Sequence, residues 1–549
     1  MLLAQDGFEW PDWLVLAGYL VIVIIIGVLA GRRRGTGDDY FLAGRSMPMW
    51  AVAISVLATS QSAATFIGGP QQAYTGNLTY FAANLAVLIA VVLVAVIFIP
   101  AFYRHNVTSV YELLGHRFGP AAQRCASAMY LVGRVFAGGA RLFIVALPFS
   151  LVAFGDVTAP EMMLSIVLIA IGSTVYTLTG GIRAVIWTDV IQAILYITTI
   201  SLALWVLWQK LPLDSTAMVD AVRSAEGGDK LKVLDLTLSS AADFGRSFNF
   251  WAIVLGLSLL NLAAYGTDQD LTQRMLTCRS AVKGSWSVIV SCLIGWPVVL
   301  LFLLMGLGLY VFYDRPDLMG AAAPDYAIDD TRQVFLQFII HEMPTGVRGL
   351  MMAGLFAAAM SSMDSGLNAM ASTTIADFYR PLIARAAAMR CTSCGYDLTG
   401  NRSGTCPECG LALPPPIRRA VVRGGPEHER FVSRIAVVVW AVALSGFACF
   451  CIVWQSQRGD TLINFALSVM IFAYSGLLAV FLTALLTTRG SQASVLAALA
   501  TGFVTVLLMQ DGIWKLWTPY VGIDFTIAFP WTMLIATGLS FLVCVMGKR

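Results

Sequence analysis

Apolar runs close to the thickness of a bilayer recur from one end of this 549-residue chain to the other. Thirteen can be read, at roughly 13–30, 48–74, 77–103, 122–153, 159–179, 184–209, 249–270, 281–313, 346–377, 432–455, 461–487, 490–510 and 525–546. About 20 apolar residues in a helix cross the hydrocarbon core, where every backbone N–H and C=O must be satisfied inside the protein. The runs are continuous and do not alternate apolar with polar residues, which excludes a β-barrel. Charged residues make up 12% of the chain and hydrophobic ones 58%, against roughly 25% charged in a soluble domain. The sequence therefore predicts an all-α polytopic membrane protein with about 13 transmembrane helices.

Basic residues fall on alternate connections: Arg32–Arg34 and Arg45; Arg104, Arg117 and Arg124; Arg183; Arg274, Arg279 and Lys283; the stretch from Arg380 to Arg434; Arg489; and Lys548–Arg549. By the positive-inside rule that side is cytoplasmic. An odd number of spans then puts the N-terminus outside and the C-terminus inside a multi-pass protein of the cell's inner (plasma) membrane. Met1–Trp10 lacks a basic n-region, so no cleaved signal peptide is expected. The net charge of +3 follows from this topology and does not argue for a nucleic-acid partner.

Two spans are built to break. The second contains Ser55, Thr59, Ser60, Gln61, Ser62 and Thr65 and ends in Gly68-Gly69-Pro70; the seventh carries Asn261 and the run Tyr265-Gly266-Thr267-Asp268-Gln269-Asp270. Such density of polar and helix-breaking residues makes a poor uniform helix. Freed backbone at membrane depth survives only where it lines a cavity, and a pair of interrupted spans in corresponding halves points to a transporter's substrate site. Each break leads a set of five spans, 48–209 and 249–487, and an odd number per set inverts the second relative to the first. A third feature is Gly354–Gly366, where Ser361, Ser362 and Asp364 sit in an otherwise apolar segment. A carboxylate there needs a partner or a water-filled cavity. An alkali cation would want these oxygens together; close helix packing through Gly, Ala and Ser is the plainer reading.

A small module interrupts one basic connection. Cys391-x2-Cys394 and Cys406-x2-Cys409 are each followed by a glycine, and Ala386–Ala388 and Pro414–Pro416 mark the insertion boundaries. Four thiolates suit a structural Zn²⁺, and so short a segment cannot fold on burial alone. The motif resembles a zinc ribbon; a rubredoxin-like iron site is the minor alternative. Only Arg402 lies between its knuckles, so a docking role toward a cytoplasmic protein partner is favoured over nucleic-acid reading. The domain division is a transporter body at 1–385, the ribbon at 386–416 and the remainder of the body at 417–549. The other six cysteines are scattered in or beside spans and read as packing residues.

Residues 58–68, Gly180-Gly181-Ile182-Arg183-Ala184-Val185-Ile186-Trp187-Thr188-Asp189-Val190-Ile191-Gln192, residues 266–274 and residues 357–368 together resemble the sodium:solute symporter family, which includes sodium-coupled sugar, proline, iodide, vitamin and sialic acid transporters. The resemblance covers nearly the whole chain except the ribbon. It implies a five-plus-five inverted-repeat (LeuT-like) core with one span before it and extra spans after. It also implies a Na⁺ held by the main-chain carbonyls of Ala58, Gln61 and Ala358 and the hydroxyls of Ser361 and Ser362. Some members bind a second cation, which would map to Asp189, Ser362 and Ser365, with Asp364 standing where those members usually have a hydroxyl residue. Solute contacts would map to Ser60, Ser62, Thr65 and Asn261, with Tyr265 as a gate and Gln72 or Asn84 contributing from nearby. Arg134 and Arg141 are intramembrane cations. An Arg clamps a carboxylate bidentately, as in the sialic acid branch, and pairing with an acidic residue is the alternative for one of the two.

The expected function is sodium-coupled import of a small polar organic solute (sugar, amino acid, carboxylate or similar) by alternating access, with no enzymatic chemistry: the chain has no P-loop string, and its four histidines form no catalytic grouping. The alternative is a solute-sensing membrane receptor in which the ribbon signals to a partner. A sodium-dependent channel would need a continuous polar pore, against which the short polar stretches argue.

Overall fold

The computed structural model describes all residues except 1–7, 32–41, 227, 327, 329, 388–390, 392, 395, 397–404, 412–425, 457–460, 522–524 and 549. Arg32–Arg34, Arg402 and much of the ribbon's interior and flanks thus lie outside the described residues. Among those described, nine helices are long and apolar enough to cross a membrane, one bent pair adds a tenth, and three shorter apolar helices complete a set of thirteen segments. They are α1 (Trp10–Gly31), the bent pair α2 (Met49–Ser60) and α3 (Ala63–Thr75), α4 (Leu78–Arg104), α5 (Pro120–Phe154) and α6 (Ala159–Lys210). Next come the interrupted α7 (Ser258–Gly266) and α8 (Gln269–Leu276), then α9 (Ala281–Asp314) and α10 (Val347–Thr373). The last four are α11 (Pro426–Ser456), α12 (Leu462–Leu486), α13 (Gln492–Leu508) and α14 (Phe529–Met546).

Both predicted breaks are present, and both are capped the same way. Between α2 and α3, Gln61 (φ −86°, ψ 115°) and Ser62 (φ −118°, ψ 178°) are extended, and the two helices meet at 59°. The Ser62 hydroxyl accepts from the Ala64 N–H at 3.3 Å, satisfying one donor of the new helix. Between α7 and α8 the break falls at Thr267–Asp268, and the Asp268 carboxylate accepts from the Asp270 N–H at 2.8 Å. In each half the residue next to the one that ends the first helix caps the second: Ser62 after Gln61, and Asp268 after Thr267.

Two expected spans, 159–179 and 184–209, are joined as α6, interrupted only at Gly181, whose φ of 59° and ψ of −178° no other residue adopts cheaply. Burial separates the remaining helices by role. Of α10's membrane window, 94% is inside the protein, against 28% for α1 and 33% for α11. Polar side chains on α10 therefore face protein and not lipid. Close approach brings α10 onto α6: a Cβ at Gly354 would lie 2.4 Å from the Thr199 hydroxyl. On the other side of the core, a Cβ at Gly306 of α9 would meet the Pro70 carbonyl of α3 at 2.2 Å.

Candidate functional site

The α2–α3 break lies against the middle of α10. The end of α2 leaves carbonyls without helical partners. Ser361 of α10 donates its hydroxyl to the Ala58 carbonyl at 2.7 Å, and Ser362 donates to the Thr59 carbonyl at 3.4 Å. A small cavity here is lined by Ala58, Gln61, Ala358 and Ser361, four of the five residues expected to hold sodium, together with Leu57, Gln192 and Tyr196. Ser362 faces a neighbouring cavity with Ser62 and Arg141. Three oxygens on residues of the first cavity's lining, Gln61 Oε1, Gln192 Oε1 and the Tyr196 hydroxyl, are buried without a hydrogen-bond partner. Buried polar atoms are seldom left so. The cavity wall is mostly apolar, and the Ser361 hydroxyl and Ala58 carbonyl beside it are neutral oxygens of the kind a hard monovalent cation takes as ligands.

Above the break opens a larger pocket of about 770 Å³, its open mouth included. Its lining takes in Ser60, Thr65, Asn261, Tyr265, Arg134 and Arg141 of the expected solute residues, while Ser62 lies in the adjacent cavity. Asn84 also lines the pocket; Gln72 instead accepts from the Thr461 hydroxyl at 3.0 Å.

The two arginines differ in kind. Arg134 is ion-paired: its guanidinium pairs with Asp268 at 3.3 Å and with Asp270, and it donates to the Ser362 carbonyl at 3.3 Å. Tyr474 donates to the same Asp268. Arg134 lines the pocket with its charge already matched by two carboxylates, which is the pairing alternative expected for one of the two arginines. Among the described residues Arg141 has no carboxylate contact, and its one hydrogen-bond contact is the Met470 sulfur at 4.0 Å.

The residues expected around a second cation take separate partners. Asp189 accepts from the Ser55 hydroxyl and pairs with Arg274 at 3.2 Å. Arg183, six residues earlier, donates to the Ala43 carbonyl and the Ser46 hydroxyl. The Ser365 hydroxyl is 3.2 Å from Asp270, and Asp364 is 3.2 Å from the Thr177 hydroxyl of α6. Asp189 and Asp364 do not share a ligand position.

Asp268, Asp270 and Arg274 had not been singled out as site residues. Arg274 is fully buried and joins Asp189 to Asp270, which it holds at 2.6 Å. The signal was present in the sequence: intramembrane charges must find one another, and Arg134 had no acidic residue on its own helix to pair with.

The four motif cysteines come together as a group whose sulfurs all lie within 4.8 Å of one another. Cys391–Cys409 and Cys394–Cys406 sulfurs stand 3.5 Å and 3.6 Å apart, too far for a disulfide. Tetrahedral Zn–S bonds of about 2.3 Å require sulfurs about 3.8 Å apart, close to what is found. The knuckles repeat each other: the Cys391 N–H donates to the Tyr396 carbonyl and the Cys406 N–H to the Leu411 carbonyl, both at 2.8 Å. The backbone N–H groups of Cys394 and Ser393 hold the Cys391 thiol down to about 6, while, against the backbone N–H of Tyr396, burial and the neighbouring sulfurs push Cys394 up to about 12, so before a metal binds one thiolate is held by its neighbours' protons.

The sodium:solute symporter family model matches residues 40–394. A sodium/sialic acid symporter of Proteus mirabilis is 29% identical over 388 residues, covering 68% of this chain and 72% of that one. The human sodium/iodide cotransporter is 28% identical over 375 residues, and the mouse sodium-coupled monocarboxylate transporter 1 is 28% identical over 385 residues. Those matches cover 67% of this chain but only 56% and 59% of the longer relatives. Among solved structures, the substrate-bound outward-open state of a Na⁺-coupled sialic acid symporter superposes with a TM-score of 0.74 over 98% of both chains at 22% identity, which establishes the LeuT-like fold. These relatives are transporters and not enzymes. Through residues 40–394, which hold both breaks and the cavity between α2 and α10, this multi-pass membrane protein belongs to the sodium:solute symporter family.

Proposed function

We propose that the protein imports a small organic anion, a carboxylate above all, together with Na⁺ bound between the α2–α3 break and α10. One observation carries the sodium half: Ala58, Gln61, Ala358 and Ser361, four of the five residues expected to hold the ion, line one cavity at the break, where the Ser361 hydroxyl meets the Ala58 carbonyl at 2.7 Å. The break supplies carbonyls that no helix uses, and α10 supplies hydroxyls from a face that never meets lipid. Neutral oxygens bind a monovalent cation firmly enough to order the break and loosely enough to release it to a low-sodium cytoplasm.

The anion half rests on Arg141. It lines the solute pocket, and with Arg134 neutralised it is the pocket's unmatched cation. An unpaired guanidinium in a low-dielectric pocket is costly until an anion arrives, so it selects for one. The relatives named above carry sialic acid, iodide and monocarboxylates, all anions.

The distribution of basic connections supports an N-terminus outside and a C-terminus inside, with the ribbon in the cytoplasm of a cell bounded by this inner (plasma) membrane. There the four thiolates hold Zn²⁺ as a structural ion, and the ribbon serves as a docking surface for a cytoplasmic protein. The test is uptake by the reconstituted full-length protein. Carboxylate solutes accumulate against their gradient only with inward Na⁺, and neutral sugars of similar size do not; equal uptake of both refutes the role of Arg141, and uptake indifferent to Na⁺ refutes the coupling.

A further inference from the structure

We propose that α1, which lies outside the five-plus-five core, is a working part of the sodium site. Its Tyr19 positions the Gln192 amide in the wall of the ion cavity, and its Asp12 holds α10, the carrier of Ser361 and Ser362, by the N-terminus. This rests on the sodium-coupled reading above. The stretch that matches the family model starts at residue 40, beyond α1, and only 28% of α1's membrane window is inside the protein. What α1 does bury includes Asp12, Leu16, Tyr19 and Val23, whose spacing of four, three and four residues puts them on one helix face. Two of these four are polar. A helix that only anchors a protein in lipid has no need of them, because a buried polar side chain there is costly until it finds a partner. Both find partners on the elements that wall the ion cavity.

The Tyr19 hydroxyl accepts from Gln192 Nε2 at 3.4 Å. Gln192 is 1% exposed and lines the cavity together with Ala58, Gln61, Ala358 and Ser361. Among the described residues this is the side-chain amide's one hydrogen bond, its Oε1 having none. The amide's orientation in the cavity wall is therefore set from α1. Three residues earlier on the same helix, Asp189 accepts from Ser55 of α2. The stretch of α6 that Tyr19 holds is thus also the one against which the broken helix is seated.

Asp12 makes the second attachment. Gly346 precedes α10 at a φ of 83° and has no side chain with which to cap it. The Asp12 carboxylate does so from α1: Oδ1 accepts from the Gly346 N–H at 2.7 Å and the Gly349 N–H at 2.8 Å, while Oδ2 accepts from the Glu9 N–H at 3.0 Å. One carboxylate thus closes two helix N-termini, where the peptide dipoles favour negative charge. The joint has no slack, since a Cβ at Gly349 would lie 2.4 Å from the Asp12 carbonyl oxygen. Ser361 follows ~18 Å further along the same helix, so a tilt at this joint displaces the hydroxyl that meets the Ala58 carbonyl at 2.7 Å. With α6 and α10 held by one helix, the two walls facing the break keep a fixed spacing.

The experiment measures binding of radioactive Na⁺, with no solute, to the purified full-length protein in lipid nanodiscs. Tyr19→Phe removes one hydroxyl and keeps the ring. It should raise the Na⁺ dissociation constant about 2- to 30-fold, the span that changes within a coupled packing network produce, and leave the melting temperature in Na⁺-free buffer unchanged. Gln192→Leu should weaken Na⁺ likewise, and adding Tyr19→Phe to it should cost nothing more, because the hydroxyl acts through the amide. Asp12→Ala should weaken Na⁺ over the same range, with Asp12→Asn, which keeps an acceptor oxygen, in between. The Tyr19–Gln192 cycle keeps the test decisive where Asp12→Ala fails to fold. Na⁺ affinity within twofold of wild type in Tyr19→Phe, or in a folded Asp12→Ala chain, overturns the proposal, whatever happens to the melting temperature. So does a Tyr19→Phe effect of equal size with and without Gln192. A wild-type chain that binds no Na⁺ overturns the sodium-coupled reading and this inference with it, whereas normal wild-type binding with an unchanged Tyr19→Phe overturns this inference alone.

Discussion

Replacing Ser361 by Ala tests the sodium site at its most constrained atom. The hydroxyl is buried, 2.7 Å from the Ala58 carbonyl, in the cavity that also exposes Gln61 and Ala358. Sodium is close to calcium in size, so its oxygens sit at about 2.3–2.6 Å and lie a little over 3 Å from one another. The Ser361 hydroxyl and Ala58 carbonyl need only part slightly to become two such ligands. Alanine deletes one of five expected oxygens, and at 1% exposure Ser361 leaves little room for a replacing water. A hydrogen-bond-like contact to a full charge is worth about 1.5–3 kcal/mol, which is roughly a 10- to 150-fold loss of Na⁺ affinity. The assay is the Na⁺ dependence of thermal stability, because an ion that binds only the folded protein raises stability by RT ln(1 + [Na⁺]/Kd). The concentration needed for half the stabilisation should rise at least tenfold, and solute uptake at saturating Na⁺ should recover most of its rate. Na⁺ dependence within twofold of wild type refutes the assignment. A loss of solute affinity at saturating Na⁺ with normal Na⁺ binding would place Ser361 in the solute pocket instead.

Arg141→Gln keeps the side chain polar and removes its charge. Carboxylate uptake should need about 10- to 150-fold more solute, from the loss of a charge-assisted contact of about 1.5–3 kcal/mol, and Arg141→Lys should recover part of it in a solute titration. Asp270→Asn leaves Arg134 and Arg274 short of a partner inside the membrane domain. Breaking a buried ion pair from one side costs about 3–5 kcal/mol, so the variant should unfold well below wild type in a thermal melt. Gly366→Ala presses the same web, since a Cβ there would lie 3.0 Å from the Arg134 guanidinium; slower uptake with near-normal Na⁺ binding is the expected outcome. Cys391→Ser should abolish stoichiometric zinc in elemental analysis of the purified protein and leave uptake in vesicles intact, and lost uptake with normal membrane insertion would overturn the ribbon's standing as an appendage.

The breaks were legible because their signal is local. Gln61-Ser62 and Thr267-Asp268 put capping side chains where a uniform helix would want apolar ones, and each becomes the N-cap of the following helix. The cysteine cluster was legible for the same reason, through fixed spacing around two short turns. What the sequence hid was pairing across long separations. Arg134 and Arg141 sit two turns apart on α5 and look alike in one dimension; only the arrival of α8 from more than a hundred residues away binds one and leaves the other free. Asp189 reads in sequence as a cation ligand, and its partner is Arg274 from the other half of the repeat. The kink at Gly181 likewise reads as a loop in sequence, because one positive φ looks the same as a chain reversal.

The geometry also explains how the two cargoes are linked. Gln61 lines both the small cavity and the large pocket, since it is the residue at which the helix opens. Ser362 turns its hydroxyl toward the break and its carbonyl toward Arg134, and it shares a cavity with Arg141. An ion that fixes the break therefore fixes one wall of the solute pocket, and an anion that draws Arg141 inward acts on the cavity that Ser362 shares with it. Linkage is reciprocal, so whatever factor Na⁺ contributes to solute affinity, the solute returns to Na⁺. Couplings of this kind are typically about 1–3 kcal/mol, or about 5- to 150-fold. A shift of a two-state equilibrium from 1:99 to 99:1 needs about 5.5 kcal/mol. Ion and solute that favour the same state add their biases, which is the physical reason for expecting them to act on the transporter's equilibrium together.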